Sequence, residues 1–123
     1  MKSSRSSLDI AQKPKRKIVQ KALYELQTAL QELYRQDAPL VLVYGSYARK
    51  DANAASDTDV LLLYPKNIQP GLEIQRLSSI LADLNLRYQV LISVLPVSQS
   101  DIEQTTTPFW QNIRRESIPI DAV

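Results

Sequence analysis

The sequence predicts an α+β fold, a small mixed β-sheet packed with helices. Three short apolar runs carry that prediction: "LVLVY" (Leu40–Tyr44), "TDVLLLY" (Thr58–Tyr64) and "RYQVLISVLPV" (Arg87–Val97). Continuous apolar runs of this length are those of buried strands. Between them lie stretches with apolar residues three and four apart, the spacing of amphipathic helices. The resulting order is helix, strand, short helix, strand, helix, strand, helix, which is a short sheet with helices laid on it.

Each element has its own signals. Residues 1–14 are rich in Ser and Lys and read as a flexible basic leader; residues 15–123 form the folded domain. Ile18, Val19, Ala22, Leu23, Leu26, Leu30 and Leu33 form one stripe, predicting a helix from about Pro14 to Arg35, which "QDAP" stops. After the first strand, "YARKDANAA" has the Ala content of a short helix. Pro65 ends the second strand, and "QPGLEIQRLSSILADLN" is a helix with Pro70 near its start. Pro96 breaks the third strand, and Ser98 caps a helical turn through Gln104. "TPFWQNIRRESI" is a last helix with Pro108 in its first turn and Phe109, Trp110 and Ile113 inward. "IPI" adds a short edge strand.

Composition narrows the chemistry. With 123 residues, 44% apolar and 23% charged, there is room for one domain with a modest core. No cysteine is present, so disulfides and thiolate metal sites are excluded. No histidine is present either, which excludes the usual zinc sites and Ser-His-Asp catalysis. An enzyme built from this chain must use carboxylates and a hard cation. The apolar runs are too short to span a bilayer, and the N-terminus lacks the apolar stretch of a secretory signal, so a cytoplasmic protein is expected. Residues 1–21 carry +6 and the remainder −4. That basic arm reads as a solvated leader, and no nucleic-acid-binding module accompanies it.

One stretch concentrates the chemistry: "VYGSYARKDANAASDTDVLLLY", Val43–Tyr64. Asp57 and Asp59 are two apart at the start of a strand, so they share a face. Held that close, two carboxylates repel unless a cation lies between them, and Mg²⁺ takes oxygen ligands while keeping positions for water and phosphate. Taken alone, "SDTD" is far more often a polar turn bonded to its own backbone. Gly45-Ser46 changes the balance. Gly lets backbone approach a ligand, N–H groups at a helix start favour an anion, and Arg49 offers phosphate a fork. Strand, Gly-Ser, ten residues, Asp-x-Asp, strand brings an anion cradle and a cation site together, as a nucleoside triphosphate with Mg²⁺ requires.

"GSYARKDANAASDTDV" resembles the signature of the minimal nucleotidyltransferases of the DNA polymerase β superfamily. The strand "YQVLISVLPVS" and the tail "TPFWQNIRRESIPI" are also similar to later parts of bacterial members, so the resemblance covers roughly Leu40 to Ile120. It implies a polymerase β-like nucleotidyltransferase fold, ATP as substrate, Gly45, Ser46 and Arg49 on the triphosphate, and Asp57 and Asp59 on Mg²⁺, in a two-metal site. Many such members are antitoxins paired with a HEPN-domain ribonuclease toxin, which implies a hetero-oligomer and transfer of AMP to a toxin tyrosine. Gln89, read on the third strand, falls where relatives carry a third carboxylate. Its amide oxygen can ligate a metal but brings no charge and accepts no proton. Lys50 stands where many relatives have Gly, adding positive charge near the triphosphate.

Three other readings follow from the same residues. The change at Gln89 favours a catalytically degenerate antitoxin that neutralises by binding only. A transferase acting on a small molecule usually needs a further substrate-binding domain. A nucleic-acid binder would rest on the basic arm alone.

Overall fold

The computed structural model describes residues 15–123; the expected leader, residues 1–14, lies outside the described residues. Helix α1 (Arg16–Tyr34) buries most of the predicted stripe, with Val19, Ala22, Leu23, Leu26 and Leu30 inside and Ile18 and Leu33 exposed at its margins. Burying one such leucine is worth about 1.5–3 kcal/mol, so packing of this face holds the helix more than intrinsic propensity does. Arg35 takes a left-handed φ of 58° and ends α1, and a 3₁₀ turn (Arg35–Asp37) leads to strand β1 (Leu40–Tyr44).

Strand β2 (Thr58–Tyr64) runs antiparallel to β1, with Val43 opposite Val60 and Tyr44 opposite Asp59. Helix α3 (Pro70–Tyr88), with Pro70 in its first turn, carries the chain back so that strand β3 (Ile92–Ser98) lies parallel to β2. A two-residue strand β4 (Ile118–Pro119) pairs with the other edge of β1, as "IPI" suggested. The sheet is therefore four-stranded and mixed, in the order β3-β2-β1-β4. This is the expected α+β class.

The two faces of the sheet are unequal. Val41, Val43, Val60, Leu62, Tyr64 and Ile92 pack under α1 and α3, against Leu23, Leu26, Leu30, Leu77 and Leu84. Arg87 of α3 reaches Glu25 of α1 at 2.6 Å, and the Tyr34 hydroxyl donates to the buried Glu73 at 2.6 Å. The opposite face is covered only in part, by helices α4 (Gln99–Gln104) and α5 (Pro108–Glu116). There Leu61 and Val97 meet Ile102 and Ile113, while Tyr44 and Leu95 stay half-buried at the margin. Ser98 Oγ accepts from Asp101 N–H at 3.2 Å, the predicted cap of α4. Phe109, expected inward, is 58% exposed; Ile113 and Trp110 carry the packing of α5 instead.

Two element boundaries differ from expectation in ways that matter. "YARKDANAA" does not form a helix of that length: α2 is one turn, Ser46–Arg49. Lys50 adopts φ 66°, and beyond it Asn53 Oδ1 accepts from Ala55 N–H while Ser56 Oγ accepts from Asn53 N–H. Such local bonds satisfy the backbone outside a helix. The third strand begins at Ile92, not Arg87, because α3 continues through Tyr88. The repeat Leu77, Leu81, Leu84, Tyr88 was the signal for this extension. No described helix is long and apolar enough to cross a membrane.

Candidate functional site

The site begins where β1 stops. Gly45 takes φ 74° and ψ −151°, backbone that is close to glycine-only. The reason for the missing side chain is also steric: a Cβ here would fall inside contact distance of Asp59 Oδ2, with Asp59 Cγ at 3.2 Å and Cβ at 3.3 Å. The Asp59 carboxylate thus lies directly against the Gly45 backbone. This contact joins the Gly-Ser turn to the Asp-x-Asp segment, which sequence proximity alone did not guarantee.

Asp59 opposes Tyr44 and shares with Leu61 the partly covered face of the sheet. Asp57, two residues earlier, is exposed. Burial pushes the Asp59 carboxyl above its ordinary range, the neighbouring Asp57 charge adds to this, and Glu116 adds a smaller part, while Arg49 opposes them. Burial first and the neighbouring carboxylate second make the ionised form of Asp59 costly, and a cation nearby would lower that cost.

Ser46 opens α2 and Arg49 closes it. Arg49 Nε lies 3.3 Å from Asp51 Oδ2, and its Nη1 lies 3.6 Å from Glu116 Oε1. The Gly45 N–H donates to the same Glu116 oxygen at 2.9 Å. With α2 only four residues long, dipole support for an anion is slight. The anion-binding capacity rests on the turn's own N–H groups, the Ser46 hydroxyl and the Arg49 guanidinium. Glu116 escaped sequence reasoning: it lies 71 residues from Gly45, and only the pairing of Val43 with Ile118 brings it close.

The expected placement of Gln89 is not found. Gln89 terminates α3 with φ 52° and ψ 48°, and its backbone oxygen accepts from Lys15 Nζ at 3.1 Å. It lines a cavity of about 350 Å³ together with Asp57, Thr58, Asn85 and Tyr47, but it is not on a strand. The parallel register sets Ser93 beside Asp59. Ser93 is thus the β3 residue on the carboxylate face, and Gln89, expected there, is not on that strand.

This register gives a direct check. Ser93→Asp should place a third like charge beside Asp59 and lower metal-free stability by about 1 kcal/mol or less. Mg²⁺ should recover that loss in thermal melts of the variant and leave wild type less affected. A variant whose melting ignores Mg²⁺ would show that residue 93 does not face the pair.

Among the described residues no group of three or more His, Cys, Asp or Glu is arranged to hold a metal. The donor set is the pair Asp57 and Asp59, all oxygen, beside a turn that can take phosphate. It fits a hard divalent cation that draws its other ligands from phosphate and water.

A family model described as "Nucleotidyltransferase domain" matches residues 23–117. A crystal structure of a candidate nucleotidyltransferase from Sulfolobus solfataricus resembles the chain with a TM-score of 0.48 and 13% identity, covering 84% of this chain and 76% of that one. No curated protein matches the chain.

Proposed function

The chain belongs to the nucleotidyltransferase domain family, and from that premise we propose that it transfers AMP from ATP to a hydroxyl group of a partner protein. The acceptor is a tyrosine of a HEPN ribonuclease toxin, and the chain acts as that toxin's antitoxin. The observation that carries the nucleotidyl-transfer chemistry is the packing of Asp59 on Gly45, which sets a carboxylate against the Gly-Ser turn. The choice of partner rests on the resemblance of Gly45–Val60 to the minimal nucleotidyltransferases of HEPN pairs.

In this reading the acceptor hydroxyl oxygen attacks the α-phosphorus, its proton passes to water, the bond from the α-phosphorus to the β-phosphate oxygen breaks, and pyrophosphate leaves. Mg²⁺, held by Asp57 and Asp59, would neutralise charge on the triphosphate and leaving group. Gly45 lets backbone approach the phosphates closely, and Ser46 and Arg49 hold the β and γ oxygens. Tyr44 and Asp59 lie at the margin of the α4–α5 cover, which leaves the carboxylate pair open to a partner's side chain. Positioning and charge neutralisation supply most catalysis of this kind.

Ser46→Ala should raise the KM for ATP about tenfold while changing kcat little, because one hydroxyl donor to a charged phosphate, worth about 1.5 kcal/mol, is lost and the turn's N–H groups remain. An unchanged KM would place the phosphates elsewhere. The broader reading is tested by incubating this protein with ATP, Mg²⁺ and the partner HEPN protein and measuring intact mass. A gain of AMP units on a partner tyrosine is the expected result; an unmodified partner would refute transfer to protein.

A second reading is favoured by one observation: the β3 residue beside Asp59 is Ser93, which carries no charge. In that case the chain neutralises its partner by binding alone. Asp57→Asn and Asp59→Asn would then still silence the toxin, whereas an enzymatic antitoxin would lose that ability.

A further inference from the structure

Glu116 occupies a position that neither the core nor the strand pairing requires of an acidic residue. Its Oε1 takes the Gly45 N–H at 2.9 Å and stands 3.6 Å from Arg49 Nη1. These are two of the groups just assigned to phosphate. The side chain is held there by the fold on both sides. Ser117 N–H bonds the Ile113 carbonyl to close α5, and Ile118 then pairs with Val43, two residues before Gly45. Arg49 is engaged on its other flank by Asp51. Asp59 is also within reach of the Glu116 charge. Two carboxylates therefore pair with one guanidinium, and a third, that of Asp59, feels its charge, at a mouth that must admit a polyanion.

We propose that Glu116 is an internal anion that occupies the Gly45 N–H and Arg49 in the nucleotide-free protein and competes with an incoming triphosphate for them. The inference rests on the reading of Gly45–Arg49 as the phosphate-holding end of the site. A carboxylate and a phosphate make the same demand on an N–H and a guanidinium fork. One Gly45 N–H cannot serve both fully, so binding a triphosphate requires the Glu116 carboxylate to move aside. Its charge also opposes any polyanion that arrives without a cation. Glu116 thereby weakens affinity for free polyphosphate and sharpens the preference for the metal-bound form, which makes it a selectivity residue of the site.

The test is calorimetric titration of the full chain with inorganic tripolyphosphate in EDTA, for wild type, Glu116→Gln, Glu116→Ala and Arg49→Ala. Glu116→Gln keeps an oxygen for the Gly45 N–H and removes the charge. It should bind tripolyphosphate about tenfold tighter than wild type, equivalent to about 1.4 kcal/mol. In wild type, the Gly45 amide resonance should shift during the same titration, a readout that needs no variant to fold. Equal or weaker binding by Glu116→Gln, or an unmoved Gly45 resonance, overturns the inference. If binding needs Arg49 but is not tightened by Glu116→Gln, the inference fails alone. If binding ignores Arg49, the phosphate reading fails and takes the inference with it.

Discussion

Asp59→Asn is expected to give a folded protein whose nucleotidyl transfer has fallen by more than a hundredfold. The carboxylate lies against Gly45 and opposite Tyr44, half-buried beside Asp57. Asn has nearly the same shape, so no cavity opens and the sheet register is kept. What is lost is one charged oxygen ligand, on the order of 3–4 kcal/mol of transition-state stabilisation, where each ~1.4 kcal/mol is tenfold in rate. Stability should move the other way. Burial and the Asp57 charge hold the Asp59 carboxyl above its unfolded value, so the native state keeps its proton longer. Its contribution is fully present below the unfolded pKa and lost as the pH rises through the native one. Metal-free wild type should therefore lose stability over that interval, and Asn, which does not titrate, should remove this share of the loss. Melting curves against pH in EDTA, with transfer measured alongside, decide the matter. A variant that transfers at the wild-type rate would remove Asp59 from the chemistry.

Strands β1 and β2 were legible to the residue because each holds an apolar run with an abrupt end: Pro39 and Gly45 bound Leu40–Tyr44, and Pro65 follows Thr58–Tyr64. Helix α1 was legible because apolar residues recur at steps of three and four through its middle, buried from Val19 to Leu30. The stretch around Gln89 was not. "RYQVLI" has β-branched residues that suit a strand, but the apolar repeat of α3 runs on to Tyr88, and packing of that face outweighs local preference. A strand from Arg87 would set Gln89 on the sheet, whereas the helix through Tyr88 keeps it off. At the site, spacing suggested that Gly45-Ser46 and the Asp57, Asp59 pair lie at one end of two neighbouring strands, while the contact of Asp59 with Gly45 is set by the strand register. Glu116 could not, because an α5 residue reaches Gly45 only once β4 has paired with β1. Contacts set by topology leave no local trace in sequence. The short α2 belongs to the same class: Ala-rich composition suggested a helix, while Asn53 and Ser56 bonded the backbone otherwise.

Gly45→Ala is expected to damage stability and transfer through two separable causes. The first is backbone strain. At φ 74° and ψ −151° an L-residue is held in a sparsely allowed conformation, at about 1–3 kcal/mol. The second is collision, since the new methyl would meet the Asp59 carboxylate. The severe clash is with the Asp59 carboxylate, which rotation about χ1 can relieve, whereas Asp59 Cβ, 3.3 Å from the new methyl, does not move with χ1 and needs only a small shift. That rotation moves the carboxylate away from the turn, and transfer should fall by about the hundredfold expected when the ligand is lost outright. Strain thus appears mainly in folding and collision mainly in activity. The two are separated by building Gly45→Ala in an Asp59→Ala background, where the methyl has no carboxylate to meet. Denaturant unfolding of both pairs should show that Gly45→Ala destabilises by a similar amount with or without Asp59, because strain dominates. A penalty that vanishes once Asp59 is truncated would mean that collision governs folding as well, and that the backbone at residue 45 relaxes readily. A Gly45→Ala protein with wild-type stability and transfer would contradict the contact between Gly45 and Asp59 on which the site is built.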